Sequence, residues 1–304
     1  MTVSDQLRIA QGTGTTGLYQ LTGDGAGVEL TVAQDLFVGV NGMGTFTQTA
    51  GQVVINDIAT IGEGVNAVGL YNISGGSLDV PNDALRIGEN GMGTLTISGT
   101  GQVTAATGTG QIVLGRNNAA ASGIVNISGD GLLRSDSHLT VGQAGSGLVN
   151  QSGGTVYVDD NMFVGNNAGT GEYNLGGGTL TFADTAANTQ DTTGLSASTM
   201  TVGSNGTFNF TGGVLENVTT IDVANSASGA LTQLGSSRFV IGVDGVDPGL
   251  DPDRAITTIA GNYNQDSGTL VVDIFGPNAA GGNGEAASIG GLDPLDPTMD
   301  SDLL

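Results

Sequence analysis

The chain has 304 residues, a formal net charge of −23 at pH 7 and no cysteine. Its 29 Asp and Glu residues outnumber only 6 basic residues, which excludes the basic surface that nucleic acids bind and predicts no nucleic-acid partner. The lack of cysteine excludes disulfides and thiolate metal sites. No apolar run is long enough for a membrane-spanning helix, so no membrane insertion is expected.

A three-part repeat begins near the N-terminus and runs through most of the chain. Its first segment, strand A, has two apolar positions on either side of a variable residue, and a glycine closes most copies. This alternation predicts a short strand with one buried face. The glycine predicts a corner with positive φ or a close backbone approach. The copies start at Leu7, Leu36, Ala59, Leu85, Ile112, Leu139, Met162, Met200, Ile221 and Thr257.

Strand B follows, and its first inward position is apolar or aromatic in every copy. The next residue is Asn, Thr or Gln. Stacked amides can hydrogen-bond from one coil to the next, so six asparagines of this column are predicted to form a structural ladder: Asn72, Asn126, Asn150, Asn174, Asn209 and Asn264. The second inward position is usually apolar but is Gln in some copies, such as Gln48 and Gln151. A buried amide ladder and a corner position both remain open for these glutamines.

Strand C completes the repeat, with an inward apolar column that runs from Leu30 to Leu270. Three inward-facing strands per coil predict an all-β fold, a right-handed parallel β-helix (β-solenoid) of about ten three-strand coils. One coil cannot bury its apolar edge alone, so stacking must form the core. We predict a single solenoid domain over residues 1–275. Residues 276–304 are predicted to be an acidic, proline-punctuated C-terminal cap or extension.

Differences in coil length fall mainly between strand C and the next strand A. The insertion at residues 242–255 holds four closely spaced acidic residues, Asp244, Asp247, Asp251 and Asp253. Carboxylate oxygens are the ligands that calcium prefers. The insertion lacks the bidentate Glu of an EF-hand loop, so a calcium site and a solvated acidic loop both remain open. No other cofactor is expected.

Side chains suited to catalysis are few. His138 is the only histidine and is interpreted as a turn residue. Asp79 and Glu216 are outward carboxylates on different coils, so they should not converge as the paired carboxylates of a glycosidase do. Arg86 and Arg134 lack close carboxylate partners in their own columns. Outward threonines suggest an ice-binding face, but Leu70, Ile124, Leu148 and Glu172 interrupt their column. We therefore expect no enzyme.

Residues 139–158 and 162–182 resemble the repeats of bacterial surface proteins. Similar units occur in passenger regions of autotransporter-type adhesins and in exported proteins with a C-terminal sorting segment. Residues 259–274 are similar to the closing coil of such arrays, and the resemblance covers residues 7–275. It implies an extracellular or cell-surface protein and says little about activity, because one fold hosts many tasks.

Two functional hypotheses follow. The first is a non-enzymatic, extracellular structural or adhesive β-solenoid that serves as a surface, matrix or filament component and self-associates end to end or side by side. The alternative is a β-helix that binds or cleaves carbohydrate, with a surface glycan as its partner. Convergent carboxylates in a groove would favour the alternative. Flat Thr and Asn faces with exposed outward Phe37, Tyr157 and Phe163 would favour the first.

Overall fold

The computed structural model describes most of the chain up to residue 223 and short strands beyond it. The described residues are 1–23, 29–105, 110–182, 198–218, 220–223, 230–233, 238–241, 258–260, 263–265 and 269–272. Side chains are described only as far as residue 223. The acidic insertion at 242–255 and the predicted C-terminal cap at 276–304 lie outside the described residues.

Every regular element in the described residues is a β-strand. The strands are β1 Thr2–Val3, β2 Leu7–Ile9, β3 Thr16–Leu21, β4 Glu29–Val32, β5 Leu36–Val38, β6 Met43–Gln48, β7 Gln52–Ile55, β8 Ala59–Ile61, β9 Val68–Ile73, β10 Ser77–Val80, β11 Leu85–Ile87, β12 Met92–Ile97, β13 Gln102–Ala105, β14 Gln111–Leu114, β15 Ser122–Ile127, β16 Leu132–Ser135, β17 His138–Val141, β18 Ser146–Val158, β19 Met162–Val164, β20 Thr170–Phe182, β21 Thr199–Val202, β22 Gly206–Glu216, β23 Thr220–Val223, β24 Ala230–Gln233, β25 Arg238–Ile241, β26 Thr258–Ala260, β27 Tyr263–Gln265 and β28 Thr269–Val272.

The strands form two sheets in which the chain winds as a parallel β-solenoid. The A strands form one ten-stranded sheet, β2-β5-β8-β11-β14-β17-β19-β21-β23-β26. The B and C strands belong together to an 18-stranded sheet. Pairing is parallel and joins equivalent positions of successive turns: Leu85, for example, lies between Ala59 and Ile112. Like side chains are therefore stacked over like, and the predicted fold is confirmed.

Two details differ from the prediction. The solenoid has about 8 turns, slightly fewer than ten; eight turns run from β2 to β22, and β23–β28 extend the same ladders in shorter strands. The B and C strands were also expected to be separate. In β18, β20 and β22 they merge into one strand, with register shifts at the corner next to Gln151 and Leu175. The glycines there bend the strand and preserve its backbone pairing.

Glycines set how closely successive segments approach. Gly39 closes strand β5 with φ +76°, and a Cβ there would lie 2.4 Å from the Val68 carbonyl oxygen. Gly171 is the second residue of β20, and a Cβ there would lie 2.1 Å from the Gly165 nitrogen and 2.2 Å from the Val141 carbonyl oxygen. Any larger residue would clash with backbone at both positions. The glycine columns of the repeat therefore mark close backbone packing at the corner between strands A and B.

The core is a continuous column of stacked side chains. Phe46 lies between Tyr19 and Tyr71, with ring centroids 4.8 Å and 4.5 Å apart, and all but Tyr19 are fully buried. Two fully buried glutamines interrupt the apolar core. The Tyr71 hydroxyl donates to Gln48 Oε1 at 2.8 Å, and the Tyr173 hydroxyl donates to Gln151 Oε1 at 2.5 Å. The glutamines therefore form no ladder: each accepts from a tyrosine of the next turn.

Each glutamine also holds the corner that leads into strand C. Gln48 Nε2 donates to the carbonyl oxygens of Gly51 and Ser77 at 3.0 and 2.9 Å. Gln151 Nε2 donates in the same way to Gly154 at 3.3 Å and Thr179 at 2.9 Å. Because buried polar groups must be paired, the amide and the phenol form one satisfied unit across two turns.

Candidate functional site

The outer surface of the B strands is the least charged surface in the described part of the chain. Three outward positions of each B strand form three rows along the eight turns, which we call the uncharged face. The first row is Thr16, Met43, Val68, Met92, Ser122, Ser146, Thr170 and Asn205; the second is Leu18, Thr45, Leu70, Thr94, Ile124, Leu148, Glu172 and Thr207; the third is Gln20, Thr47, Asn72, Thr96, Asn126, Asn150, Asn174 and Asn209. Glu172 is its single charged side chain.

Large aliphatic side chains are exposed on this face. Leu18, Met43 and Met92 have relative exposures of 64%, 49% and 55%. Val65 is 69% exposed and lies in the segment that leads into the Val68 position. Apart from Met1, these are the exposed large hydrophobic residues of the described chain. Their concentration on one face favours a contact surface, because scattered single exposures would need no explanation.

The third row contains the predicted asparagine ladder. Asn150 Nδ2 donates to Asn126 Oδ1 at 3.0 Å, Asn174 to Asn150 at 3.0 Å, and Asn209 to Asn174 at 2.8 Å. Four of the six asparagines are thus joined in one chain of amides. Asn72 lies between Thr47 and Thr96 and so has no amide neighbour in register. Asn264 is in β27, where side chains are not described.

The outer surface of the A sheet is charged and much more covered. Glu89 follows the glycine that closes β11 and is only 9% exposed. Its Oε1 lies 3.0 Å from Arg86 Nη1 and 2.7 Å from Arg116 Nη1. We call these three residues and the neighbouring Glu63 the charged cluster. Arg86 therefore has a close carboxylate, contrary to the expectation from its column, because the turn after the strand carries Glu89 back over it. Arg134 likewise pairs with Asp136, two residues along its own chain.

Glu63 differs from Glu89 in its electrostatic surroundings. Burial raises the pKa of Glu63; the charges of Glu89 and Asp35 raise it further, and that of Arg8 opposes them. Within the described part of the chain, Glu63 Oε2 also has no hydrogen-bond partner. The pKa of Asp57 is also raised, first by partial burial and then by the Asp35 and Asp83 carboxylates. Two carboxylates of unequal environment, Glu63 and Glu89, thus lie on neighbouring turns.

Unpaired buried polar atoms concentrate on the A sheet as well. In the described part of the chain they are Thr60 Oγ1, Glu63 Oε2, Arg86 Nε, Gln143 Oε1 and Ser198 Oγ. All belong to the A strands or to the segments that flank them. Water or a ligand hydroxyl would satisfy such atoms.

The three outward aromatic residues, whose exposure would have favoured the structural or adhesive hypothesis, are buried or partly buried. Phe37 is 9% exposed, with the Arg8 guanidinium 4.6 Å from its ring centroid. Tyr157 is partly buried, and the guanidinium carbon of Arg134 lies 4.4 Å from its ring centroid. Burial and the charge of the neighbouring Asp159 raise the pKa of Tyr157 to about 12. Phe163 is partly buried and packs against His138 in a T-shaped contact, with the two ring centroids 5.9 Å apart. The outward apolar surface is therefore aliphatic.

The residues weighed for catalysis do not come together. Asp79 is on the third turn and Glu216 on the eighth, about 24 Å apart at 4.8 Å per turn. His138 begins β17, and its Nδ1 accepts from the Asn161 backbone N–H at 3.3 Å. No nucleophile is paired with it among the described contacts.

The calcium candidates Asp244, Asp247, Asp251 and Asp253 lie outside the described residues. Within the described ones, no group of three or more His, Asp or Glu side chains is placed to hold a metal ion. In the same part of the chain there is no helix that could cross a membrane.

Sequence reasoning missed the charged cluster, although a signal was present. Glu63, Glu89 and Arg116 each follow the glycine that closes an A strand. Reading that column as one row would have placed two carboxylates and an arginine on successive turns.

Comparison with known proteins adds no family. No protein-family model matches the chain, no curated protein is significantly similar to it, and no solved structure matches its fold at significance. The assignment of function therefore depends on the surfaces described above.

Proposed function

We propose that the chain is a non-enzymatic, extracellular structural or adhesive β-solenoid. The observation that carries this proposal is the uncharged face: eight turns of stacked Thr, Asn and aliphatic side chains with a single carboxylate, Glu172. Such a face suits contact with another surface, because it exposes Leu18, Met43 and Met92 and has few charged groups that contact would desolvate. The resemblance of residues 7–275 to bacterial surface repeats of the autotransporter passenger type supports an extracellular location.

A rigid rod also suits a structural role. The parallel ladders pair equivalent residues of successive turns from β2 to β28, and each turn contacts only its neighbours. At about 4.8 Å per turn, eight turns make a rod of about 40 Å. The strong negative charge of −23 keeps the remaining surface solvated and apart from other copies.

The test is to display the full chain on a cell that does not normally attach. We expect more cell-to-cell or cell-to-surface attachment than with a displayed unrelated protein of similar size and charge. Electron microscopy of the purified chain, with and without calcium, should show rods and their assemblies. Absence of both attachment and assemblies would contradict the proposal.

The alternative, a carbohydrate-binding or carbohydrate-cleaving β-helix, is favoured by one observation. Glu63 and Glu89 lie on neighbouring turns beside Arg86 and Arg116, with unpaired polar atoms close by. Burial raises the pKa of Glu63, and a carboxylic acid with a raised pKa is typical of the general acid of a glycosidase. Glycan binding lost in Glu63→Gln but kept in Asp79→Asn would support this alternative; binding unaffected by Glu63→Gln would contradict it.

A further inference from the structure

The distribution of charge over the three outer surfaces is uneven. The uncharged face has Glu172 alone among its three rows. The outer positions of the A sheet include Arg8, Arg86 and Asp222, flanked by the charged cluster. The outward positions of the C strands include Glu29, Asp79, Arg134 and Glu216. Charge is therefore excluded from one face of a strongly acidic protein.

This exclusion bears on which partner fits the face. Two copies at −23 repel each other, and a charge-free surface lets them approach with the fewest desolvated carboxylates. A glycan fits less well, because the three rows contain no aromatic side chain. The absence of lysine and arginine from the rows disfavours an anionic lipid surface.

The size of the face suits a dimer. Eight turns at about 4.8 Å give a length of about 40 Å, and three rows about 7 Å apart with their side-chain margins give a width of about 20 Å. The resulting area of about 800 Å² is what each partner contributes to a stable protein–protein interface. Flat sheets also pack face to face readily, about 10 Å apart.

We propose that the uncharged faces of two copies of this chain pack against each other as an antiparallel, two-fold dimer. The proposal rests on the structural or adhesive function above and names the partner of that surface. In such a pair Glu172, on the seventh turn, faces the second turn of its partner, near Thr45. A parallel pair would instead place the two Glu172 carboxylates opposite each other in a desolvated interface. The antiparallel arrangement separates them by about 24 Å, well beyond the screening length.

Sedimentation equilibrium of the full chain tests the dimer. We expect association in the range of about 1–100 μM. Ile124→Asp places a carboxylate near the centre of the face and should weaken association at least about tenfold. The matched control is Leu132→Asp, an outward aliphatic of the same turn on a C strand, which should leave association unchanged. Far-UV circular dichroism confirms that each variant is folded. A monomeric wild type at about 100 μM, or equal weakening by both variants, would overturn the proposal.

Cross-linking tests the orientation, and the lack of native cysteine makes single-cysteine variants clean. Thr94→Cys lies on the fourth turn, next to the expected two-fold axis, and a short bismaleimide should link two copies. Thr16→Cys lies on the first turn, about 34 Å from its counterpart along the rod, and should not link. Efficient linking through Thr16→Cys would overturn the antiparallel arrangement.

The same variants separate this proposal from the broader one. If Ile124→Asp is monomeric and the displayed chain still attaches cells, the pairing is not the basis of attachment, although the proposed function stands. If the wild type dimerises as expected while the displayed chain supports neither attachment nor assemblies, the proposed function fails and the pairing remains.

Discussion

The Gln48–Tyr71 pair offers the sharpest test of how the core tolerates polar groups. The Tyr71 hydroxyl donates to Gln48 Oε1 at 2.8 Å, and both side chains are fully buried. Tyr71→Phe should cost about 1–2 kcal/mol because it leaves a buried acceptor unpaired. Gln48→Leu should cost about 2–3 kcal/mol, since it leaves the hydroxyl unpaired and removes the donors to Gly51 and Ser77.

The double variant should cost less than the sum of the single ones. It creates a Leu–Phe pair, which this chain already uses at the same two positions of other turns, as Leu175 followed by Phe208. The Gly51 carbonyl keeps its bond from the Ser77 N–H at 2.9 Å. We therefore expect the double variant to lose only about 1 kcal/mol, and a coupling of about 3 kcal/mol between the sites.

Urea unfolding of the four proteins, followed by far-UV circular dichroism, measures this coupling. The free energies of unfolding are compared only among variants with the same m-value, the slope of free energy against urea concentration. A changed m-value would indicate altered cooperativity along the array. Additive losses, with the double variant the least stable of the four, would refute the idea that the amide and phenol form one unit.

Three further predictions concern backbone packing, pH dependence and the amide ladder. Gly171→Ala should lower the urea midpoint strongly because its Cβ would clash with backbone, whereas Gly176→Ala in the same strand meets nothing closer than 3.6 Å and should be tolerated; equal effects would contradict the packing account. The raised pKa of Glu63 means that the folded state binds this proton more tightly than the unfolded state, so stability falls as pH rises above 4.5 through the folded pKa. Glu63→Gln should therefore raise Tm at pH 7 and leave it unchanged at pH values well below 4.5, and a gain that persists in acid would contradict the assignment. Asn150→Ala should cost about 1 kcal/mol in urea unfolding because it breaks two amide bonds, while Asn72→Ala should cost less; the reverse order would be inconsistent with the ladder.

The fold could be predicted because each coil repeats the same local constraints. The inward positions of strand A, such as Leu85 and Ile87, are fully buried as their alternation predicts, and Gly39 adopts the positive φ expected at a corner. These features depend on one residue and its immediate neighbours. They can be recognised in a single coil, and they recur at the same positions when the coils are aligned.

Contacts between turns could not be predicted in the same way. Gln48 and Tyr71 are 23 residues apart in the chain. They pair because the second inward position of one B strand lies close to the first inward position of the B strand in the next turn. Phe37 is an outward residue of its strand, but the Arg8 side chain of the preceding turn covers it. Glu89 lies outside the strand pattern because it follows the strand, and it reaches Arg86 and Arg116 from the turn. In each case the decisive neighbour comes from another coil or from a turn.

The most direct test of the stacked, parallel register is disulfide trapping in the cysteine-free chain. Val54 and Asp79 are partners in register on adjacent turns, about 4.8 Å apart, within the Cα distance that a disulfide spans. Val54 and Thr104 are two turns apart, about 9.6 Å, which is too far. Mass spectrometry of the oxidised double-cysteine variants should show an intramolecular bond for Val54→Cys with Asp79→Cys and none for Val54→Cys with Thr104→Cys. Equal bonding in both, or bonding in the second pair alone, would contradict the solenoid.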